Sequence, residues 1–215
     1  MSKTHFWLIR HGETQWNANK RLQGWLDIPL SPIGTKQAEQ LGDYLRSPSF
    51  QIPVDVVVSS DLSRAFETAR IAASHFGRPI EANQGLRERS YGIYQGQDWS
   101  TLNNMLADSQ GVNFRDPQQH IEGGEALHSF HSRIVAAFED LAQRYRGQNV
   151  LAFSHGGVID IAWRKASELS LDVKRNEPIL NTSINQFSID ANNAWTMTDW
   201  GQVEHLETSA LDDII

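Results

Sequence analysis

Ile9-Arg10-His11-Gly12-Glu13-Thr14-Gln15-Trp16-Asn17 follows directly on the apolar run His5-Phe6-Trp7-Leu8. An apolar run that short reads as a buried strand, and this one ends in an arginine, a histidine and a glycine. Open α/β sheets bind their ligands at the carboxyl ends of strands. A planar guanidinium suits phosphate oxygens, and a neutral imidazole is a competent nucleophile near pH 7. Gly12 is expected to let the backbone approach a bound anion closely. The triplet alone is common. A second apolar run far downstream ends the same way, as Asn149-Val150-Leu151-Ala152-Phe153-Ser154-His155-Gly156-Gly157. Between them Val56-Val57-Val58-Ser59-Ser60-Asp61-Leu62-Ser63-Arg64 forms a third polar strand end, with Arg64 in the first turn of a helix.

Periodicity extends this frame. Strands are expected near residues 5 to 9, 54 to 58 and 150 to 153. Helices are expected from Pro32, capped by Ser31, to Arg46, and from about Asp61 to Phe76 with Gly77 as its stop. A long helix is expected from Gly124 to Arg146, and another from Val158 to Glu168. Residues 183 to 189 and 195 to 200 read as a hairpin around Asp190-Ala191-Asn192-Asn193. Strands alternating with helices predict a three-layer α/β/α sandwich with a mostly parallel central sheet. Residues 98 to 122 are polar and weakly patterned, a helical or looped lid insertion. With no repeat or linker, residues 1 to 215 read as one domain.

These pieces together resemble the histidine phosphatase superfamily, in its phosphoglycerate-mutase-like branch. The matching segments are Leu8 to Asn17, Gln23-Gly24-Trp25 with Asp27, Pro29-Leu30-Ser31 through Gln37-Ala38, Ser59 to Ala69, Leu86-Arg87-Glu88 with Tyr91-Gly92, and Ser154-His155-Gly156. The tail from Val203 to Leu206 and Ala210-Leu211-Asp212 also resembles bacterial phosphatases of that kind. The resemblance implies that His11 becomes a phosphohistidine, and that Arg10 and Arg64 clamp the phosphate. It makes His155 a donor to a non-bridging oxygen, beside the Gly156 amide. Asn17, Gln23, Gly24 and Tyr91 match pocket positions, although a surface reading suits Gln23 better than Asn17. Glu88 is implied as the acid that protonates the leaving group. The rival readings are a Glu88 paired with Arg87 or Arg89 on the surface, and Glu13 in its place.

Composition sets limits on function. The chain has 215 residues, a net charge of −7, 40% hydrophobic residues and no cysteine, with a mean hydropathy of −0.46. That charge argues against a nucleic-acid surface. No apolar run reaches the ~18 residues of a membrane span, and no signal-peptide pattern opens the chain. A cytoplasmic protein acting on a small phosphate ester is expected, without membrane or nucleic-acid partners; its oligomeric state is open, a homodimer included. Without cysteine there is no thiolate catalysis or cysteine zinc site. His128 and His131 could share a metal, but no carboxylate completes the set, so no metal and no cofactor are expected. Trp16, Trp25 and Trp99 are the tryptophans expected near the pocket.

Phosphatase and mutase use the same histidine and glutamate. The resemblance implies that mutases hold the rest of the substrate with several basic residues from the insertion. Here residues 98 to 122 carry Arg115 alone, against Asp98, Asp108, Asp116 and Glu122. The expectation is therefore a metal-independent phosphomonoesterase. A 2,3-bisphosphoglycerate-dependent phosphoglycerate mutase, for which the bisphosphate would be a cofactor, is the first alternative. A catalytically weak binding or regulatory member is the second.

Overall fold

A computed structural model describes residues 2–107, 111–173, 175, 177–207 and 210–213. Strand β1 (Thr4–Arg10) shows why the sequence folds in layers. Its alternate side chains enter two different cores, as the two-residue period of a strand requires. Phe6 and Leu8 join one apolar cluster, and Trp7 and Ile9 another. Strand β4 (Asn149–Ser154) repeats the division, with Val150 and Ala152 on one side and Leu151 and Phe153 on the other. A strand covered on both faces has no polar alternation, which is why both runs read as continuously apolar.

The sheet order is β3-β2-β4-β1-β5-β6, with β2 (Val56–Ser59), β3 (Ile80–Ala82), β5 (Ile184–Ile189) and β6 (Trp195–Gln202) completing it. The pairings β3–β2, β2–β4 and β4–β1 are parallel; β1–β5 and β5–β6 are antiparallel. One face is covered by α2 (Pro32–Arg46) and α3 (Ser63–Ala72), the other by α5 (Leu127–Arg144) and α6 (Gly156–Ala166). The expected sandwich is present. No described helix is long and apolar enough to cross a membrane.

Helix boundaries follow local chemistry. Ser31 caps α2 by accepting from the Gly34 amide at 3.1 Å, and Pro32 occupies the first turn. The helix ends because Ser47 precedes Pro48, which forces it extended at ψ 159°. Helix α5 buries Phe130, Ile134, Phe138 and Leu141 at helical spacing. The Phe138 ring meets Phe6, Phe187 and Trp195 with centroids 5.2–5.8 Å apart. Each such fully buried side chain contributes about 1.5–3 kcal/mol.

Several expectations need correction. The helix expected over 61–76 is α3 followed by a separate 3₁₀ turn, Ser74–Phe76, before left-handed Gly77. Helix α5 starts at Leu127 because a Cβ on Gly124 would lie 2.7 Å from the Ser90 carbonyl oxygen, so the chain there is pinned against another loop. Strand β3 and the short helix α1 (Gln15–Ala18) escaped the periodicity altogether. The insertion holds a helix, α4 (Trp99–Ala107), and shares a small core of its own, Leu22, Tyr91, Leu102, Phe114 and Ile121. Asp108 lies outside the described residues. Gly12 also has a packing reason that the sequence did not suggest. A Cβ there would lie 2.4 Å from the Gly34 carbonyl oxygen, so glycine admits the first turn of α2.

Candidate active site

Three neighbouring strands deliver their carboxyl ends to one edge of the sheet. Arg10 lies opposite Ser154, and Ser59 opposite Phe153. One residue further on, the His11 amide donates to the Ser154 carbonyl and the Ser60 amide to the Phe153 carbonyl, both at 2.9 Å. His11 and His155 thereby meet edge to face, with ring centroids 5.3 Å apart.

Each ring has a defined partner. His11 Nδ1 is 2.7 Å from the Gly12 carbonyl oxygen, which can only accept, so the proton sits on Nδ1 and Nε2 carries the lone pair. The Asn181 side chain donates to the His11 carbonyl at 3.0 Å and steadies the backbone. His155 Nε2 contacts Ser60 Oγ at 2.8 Å, and its buried Nδ1 has no partner. The Ser60 hydroxyl can donate to Nε2 or accept from it, so this contact fits either neutral tautomer. Burial, with Arg64 and Arg10 nearby, holds the His11 pKa well below the usual histidine value. His155 is lowered in the same way, by burial and then by Arg64 and His11.

Arg10 and Arg64 are fully buried, at 1% and 0% exposure. Arg10 Nη1 donates to the carbonyls of Ile179 (2.6 Å) and Leu211 (2.8 Å), while Nη2 lies 3.6 Å from Asp213. Arg64 donates to Leu26 (3.0 Å) and Gly24 (2.8 Å). Burial lowers both pKa values, that of Arg64 to about 10, which leaves it charged at neutral pH. The Nε of each arginine is buried without a partner, like His155 Nδ1. Orphaned buried donors are costly, about 1–3 kcal/mol each and more when charged. Two such guanidinium groups lining one cleft with the His11 imidazole fit an anion.

A cleft of about 360 Å³ opens on this edge and is lined by Arg10, His11, Arg64, Glu88, Asn17, Gln23, Gly24, Tyr91 and Gly156. The positions singled out in the sequence meet there, with His155 alongside. The expected ranking of Gln23 and Asn17 is reversed: Gln23 is buried and bonded to Thr14 Oγ1 at 3.0 Å, whereas Asn17 is half-buried in a capping box with Thr14.

Glu88 is buried and accepts from the amides of Arg89 (2.7 Å) and Gly157 (3.0 Å). Burial first, and the Asp213 carboxylate second, push its pKa up to about 7. It is not the surface partner of its neighbours. Arg87 pairs with Asp61 at 2.6 Å, and Arg89 donates to the carbonyls of Glu125 and Phe114. The rival Glu13 accepts from Ser31 Oγ at 2.9 Å, away from the cleft lining, and ties β1's end to the cap of α2.

Sequence reasoning missed four contributors. Ser60 orients His155. Thr68 accepts from the Gly12 amide at 3.0 Å and donates to the Arg64 carbonyl at 2.6 Å. Arg133 on α5 donates to the carbonyls of Gly85, Arg87 and Glu88 while pairing with Glu125 at 2.7 Å. Asp213 comes from the tail: a Cβ on Gly156 would lie 2.4 Å from its Cγ. Of the three tryptophans, Trp25 serves the site from outside, donating from Nε1 to the Glu88 carbonyl at 2.7 Å under the Arg87 guanidinium. Trp16 and Trp99 do not line the cleft. His128 and His131 lie 6.5 Å apart between ring centroids, and among the described residues no three metal-ligating side chains gather anywhere.

The cations expected to be scarce around the leaving group come partly from elsewhere. Arg21 lines the cleft, and Arg89, Arg164 and Arg175 join Arg115 around an adjoining cavity.

The chain matches a family model described as the histidine phosphatase superfamily (branch 1) over residues 6–203. It is 34% identical to phosphoglycerate mutase-like protein 4 of Arabidopsis thaliana, over 93% of this chain and 86% of the other. It is 31% identical to the probable phosphoglycerate mutase GpmB of Salmonella typhi, over 97% of each. Its fold superposes with a TM-score of 0.81 on a mutant phosphoserine phosphatase of Entamoeba histolytica in complex with phosphoserine, at 25% identity, covering 94% of this chain and 99% of that one.

Proposed function

The chain belongs to the histidine phosphatase superfamily, and from that premise we propose that it is a metal-independent phosphomonoesterase that works through a phosphohistidine on a small phosphorylated metabolite. The observation that carries this reading is that His11, with its Nε2 lone pair, lines one cleft with the buried Arg10 and Arg64, each of which has a partnerless Nε. Such preorganised donors act where charge develops, and removing one typically costs about 3–4 kcal/mol of barrier.

In the first step His11 Nε2 attacks phosphorus and the bond from phosphorus to the ester oxygen breaks. The Glu88 carboxyl gives its proton to that oxygen, and the alcohol leaves. In the second step the Glu88 carboxylate takes a proton from water as that water attacks phosphorus. The N–P bond breaks, phosphate leaves, and both groups return to their first state. A carboxyl with a pKa near 7 suits both directions of transfer.

The mutase reading draws support from the names of the two sequence relatives, and the phosphatase reading from that of the solved neighbour. Arg164 and Arg175, although near, are already paired with Asp160, which favours release over retention of a bisphosphate. A binding module without turnover would not need a glutamate raised to the pKa of a proton donor. Phosphate release from an aryl phosphate at slightly acidic pH tests the proposal. No release from wild-type protein would end it.

A further inference from the structure

Glu88 must aim its carboxyl at the leaving oxygen, yet it belongs to neither a strand nor a helix. Its two carboxyl oxygens accept from different places, Oε1 from the Arg89 amide at 2.7 Å and Oε2 from the Gly157 amide at 3.0 Å. The Arg89 N–H shares one planar trans peptide with the Glu88 carbonyl, and the two point in opposite directions. Whatever holds that carbonyl therefore turns the amide, and the carboxyl with it.

Two side chains hold it. Trp25 Nε1 donates to the Glu88 carbonyl oxygen at 2.7 Å, and Arg133 Nη2 donates to it at 3.1 Å. Arg133 makes five hydrogen bonds, as many as a guanidinium has N–H groups. Nη1 donates to the carbonyls of Gly85 and Arg87, both at 3.0 Å. Nε and Nη2 each reach the Glu125 carboxylate at 2.7 Å.

Glu125 in turn grips the chain beyond Glu88. Its carboxylate accepts from the Ser90 amide at 2.9 Å, and its own amide donates to the Ser90 carbonyl at 2.8 Å. Its carbonyl accepts from Arg89 Nε at 2.9 Å. The pair thus fastens residues 85 to 90 to α5 on both sides of the glutamate. The guanidinium also packs against two rings, 5.1 Å from the Phe130 centroid and 5.9 Å from that of Trp25. Arg133 does not line the cleft. Its charge nevertheless reaches His155, whose pKa it helps to lower, so a test must separate charge from position.

We propose that the donors meeting on the Glu88 carbonyl, Arg133 backed by Glu125 and Trp25, are positioning residues for proton transfer to the leaving group. They fix the peptide between Glu88 and Arg89 and so aim the Glu88 carboxyl. The proposal rests on the phosphomonoesterase reading.

The test compares kcat/KM for 4-nitrophenyl phosphate, whose leaving group needs little protonation, with that for the alkyl phosphate which wild-type protein turns over fastest. This constant covers the steps up to departure of the alcohol, so the later attack of water does not enter. Arg133→Gln should lower it by about 10²-fold for the alkyl ester and by less than about threefold for the aryl ester. Arg133→Lys keeps the charge but loses the fork, and should fall with Arg133→Gln. In Glu88→Gln protein, adding Arg133→Gln should cost less than about a further threefold, because the group it positions no longer carries the proton. Trp25 is 40% exposed, so Trp25→Phe is compatible with folding and decides the matter if the Arg133 variants do not fold. It should lower the alkyl rate alone, by about threefold, the scale of one hydrogen bond. Equal losses on the two esters, additive losses in the double variant, or recovery with lysine overturns the proposal. The phosphatase reading survives those outcomes, and falls only if wild-type protein hydrolyses no ester, which takes the proposal with it.

Discussion

The Glu88 carboxylate rests on the amide of Gly157, 3.0 Å away, and a Cβ on that glycine would come within 2.3 Å of Glu88 Oε1. The helix that begins after His155 thus sets the position of the glutamate as well as that of the histidine. Gly157→Ala should leave the fold intact and displace the carboxylate. An alkyl phosphatase rate lower by about 10²-fold is expected, since small misplacements of reacting groups cost that much. Circular dichroism and steady-state kinetics on one preparation check it; unchanged kcat would mean that Glu88 needs no such support.

His11→Ala should lower phosphate release by about 10⁴-fold or more. Wild-type protein quenched during turnover should hold an acid-labile, base-stable phosphoryl group that the variant lacks. Near wild-type turnover in the variant would remove His11 from the nucleophile role.

Acid–base chemistry should give a bell-shaped profile with unequal origins. His11 must be unprotonated, and its lowered pKa keeps it so well into the acid range. Glu88 must be protonated, and its raised pKa, about 7, places the alkaline limb there. Activity on alkyl phosphates should therefore peak at slightly acidic pH. Glu88→Gln should remove the alkaline limb and slow alkyl esters by about 10²-fold or more, while aryl esters, with better leaving groups, suffer little. Equal losses on both would move the proton-donor role elsewhere.

Excess EDTA should not change turnover, because Arg10, Arg64 and the two neutral histidines provide the charge and the donors that the phosphoryl group needs. Activity lost on chelation and restored by a divalent cation would contradict this.

With 3-phosphoglycerate, isomerisation should be weak, and added 2,3-bisphosphoglycerate should be hydrolysed. Each missing charge-assisted contact to the intermediate gives up about 1.5–3 kcal/mol of retention. A coupled assay for 2-phosphoglycerate decides it: strong bisphosphoglycerate-dependent isomerisation with little phosphate release would make the protein a mutase.

His11, His155 and Arg64 were legible because each follows a β-prone run, and parallel strands in one sheet end at one edge. Glu88 was legible only through the resemblance, since its own neighbourhood looks like a surface charge cluster. Ser60 lay in a quoted run, but a serine after a strand is too ordinary to stand out. Arg133 belongs to an amphipathic helix, where a cation reads as part of the solvated face until its carbonyl partners are seen. Asp213 could not be found from periodicity, because the tail has none; its place is set by a bond between Arg10 and the Leu211 carbonyl. Gln23 and Asn17 exchanged rank because burial of a loop depends on what covers it. Strand β3, at three residues, falls below any period-based signal.

The strand that carries the nucleophile also has consequences for biosynthesis. Residues 4–10 pair with 149–154 on one side and 184–189 on the other. Synthesised before both of its partner strands, Phe6-Trp7-Leu8-Ile9 has no strand to pair with until residues 149–154 are made. Such long-range closure slows folding and leaves an unpaired apolar edge exposed meanwhile. Nascent chains halted before residue 149 should therefore depend on chaperone shielding, and should acquire protease resistance only once the later strands are released.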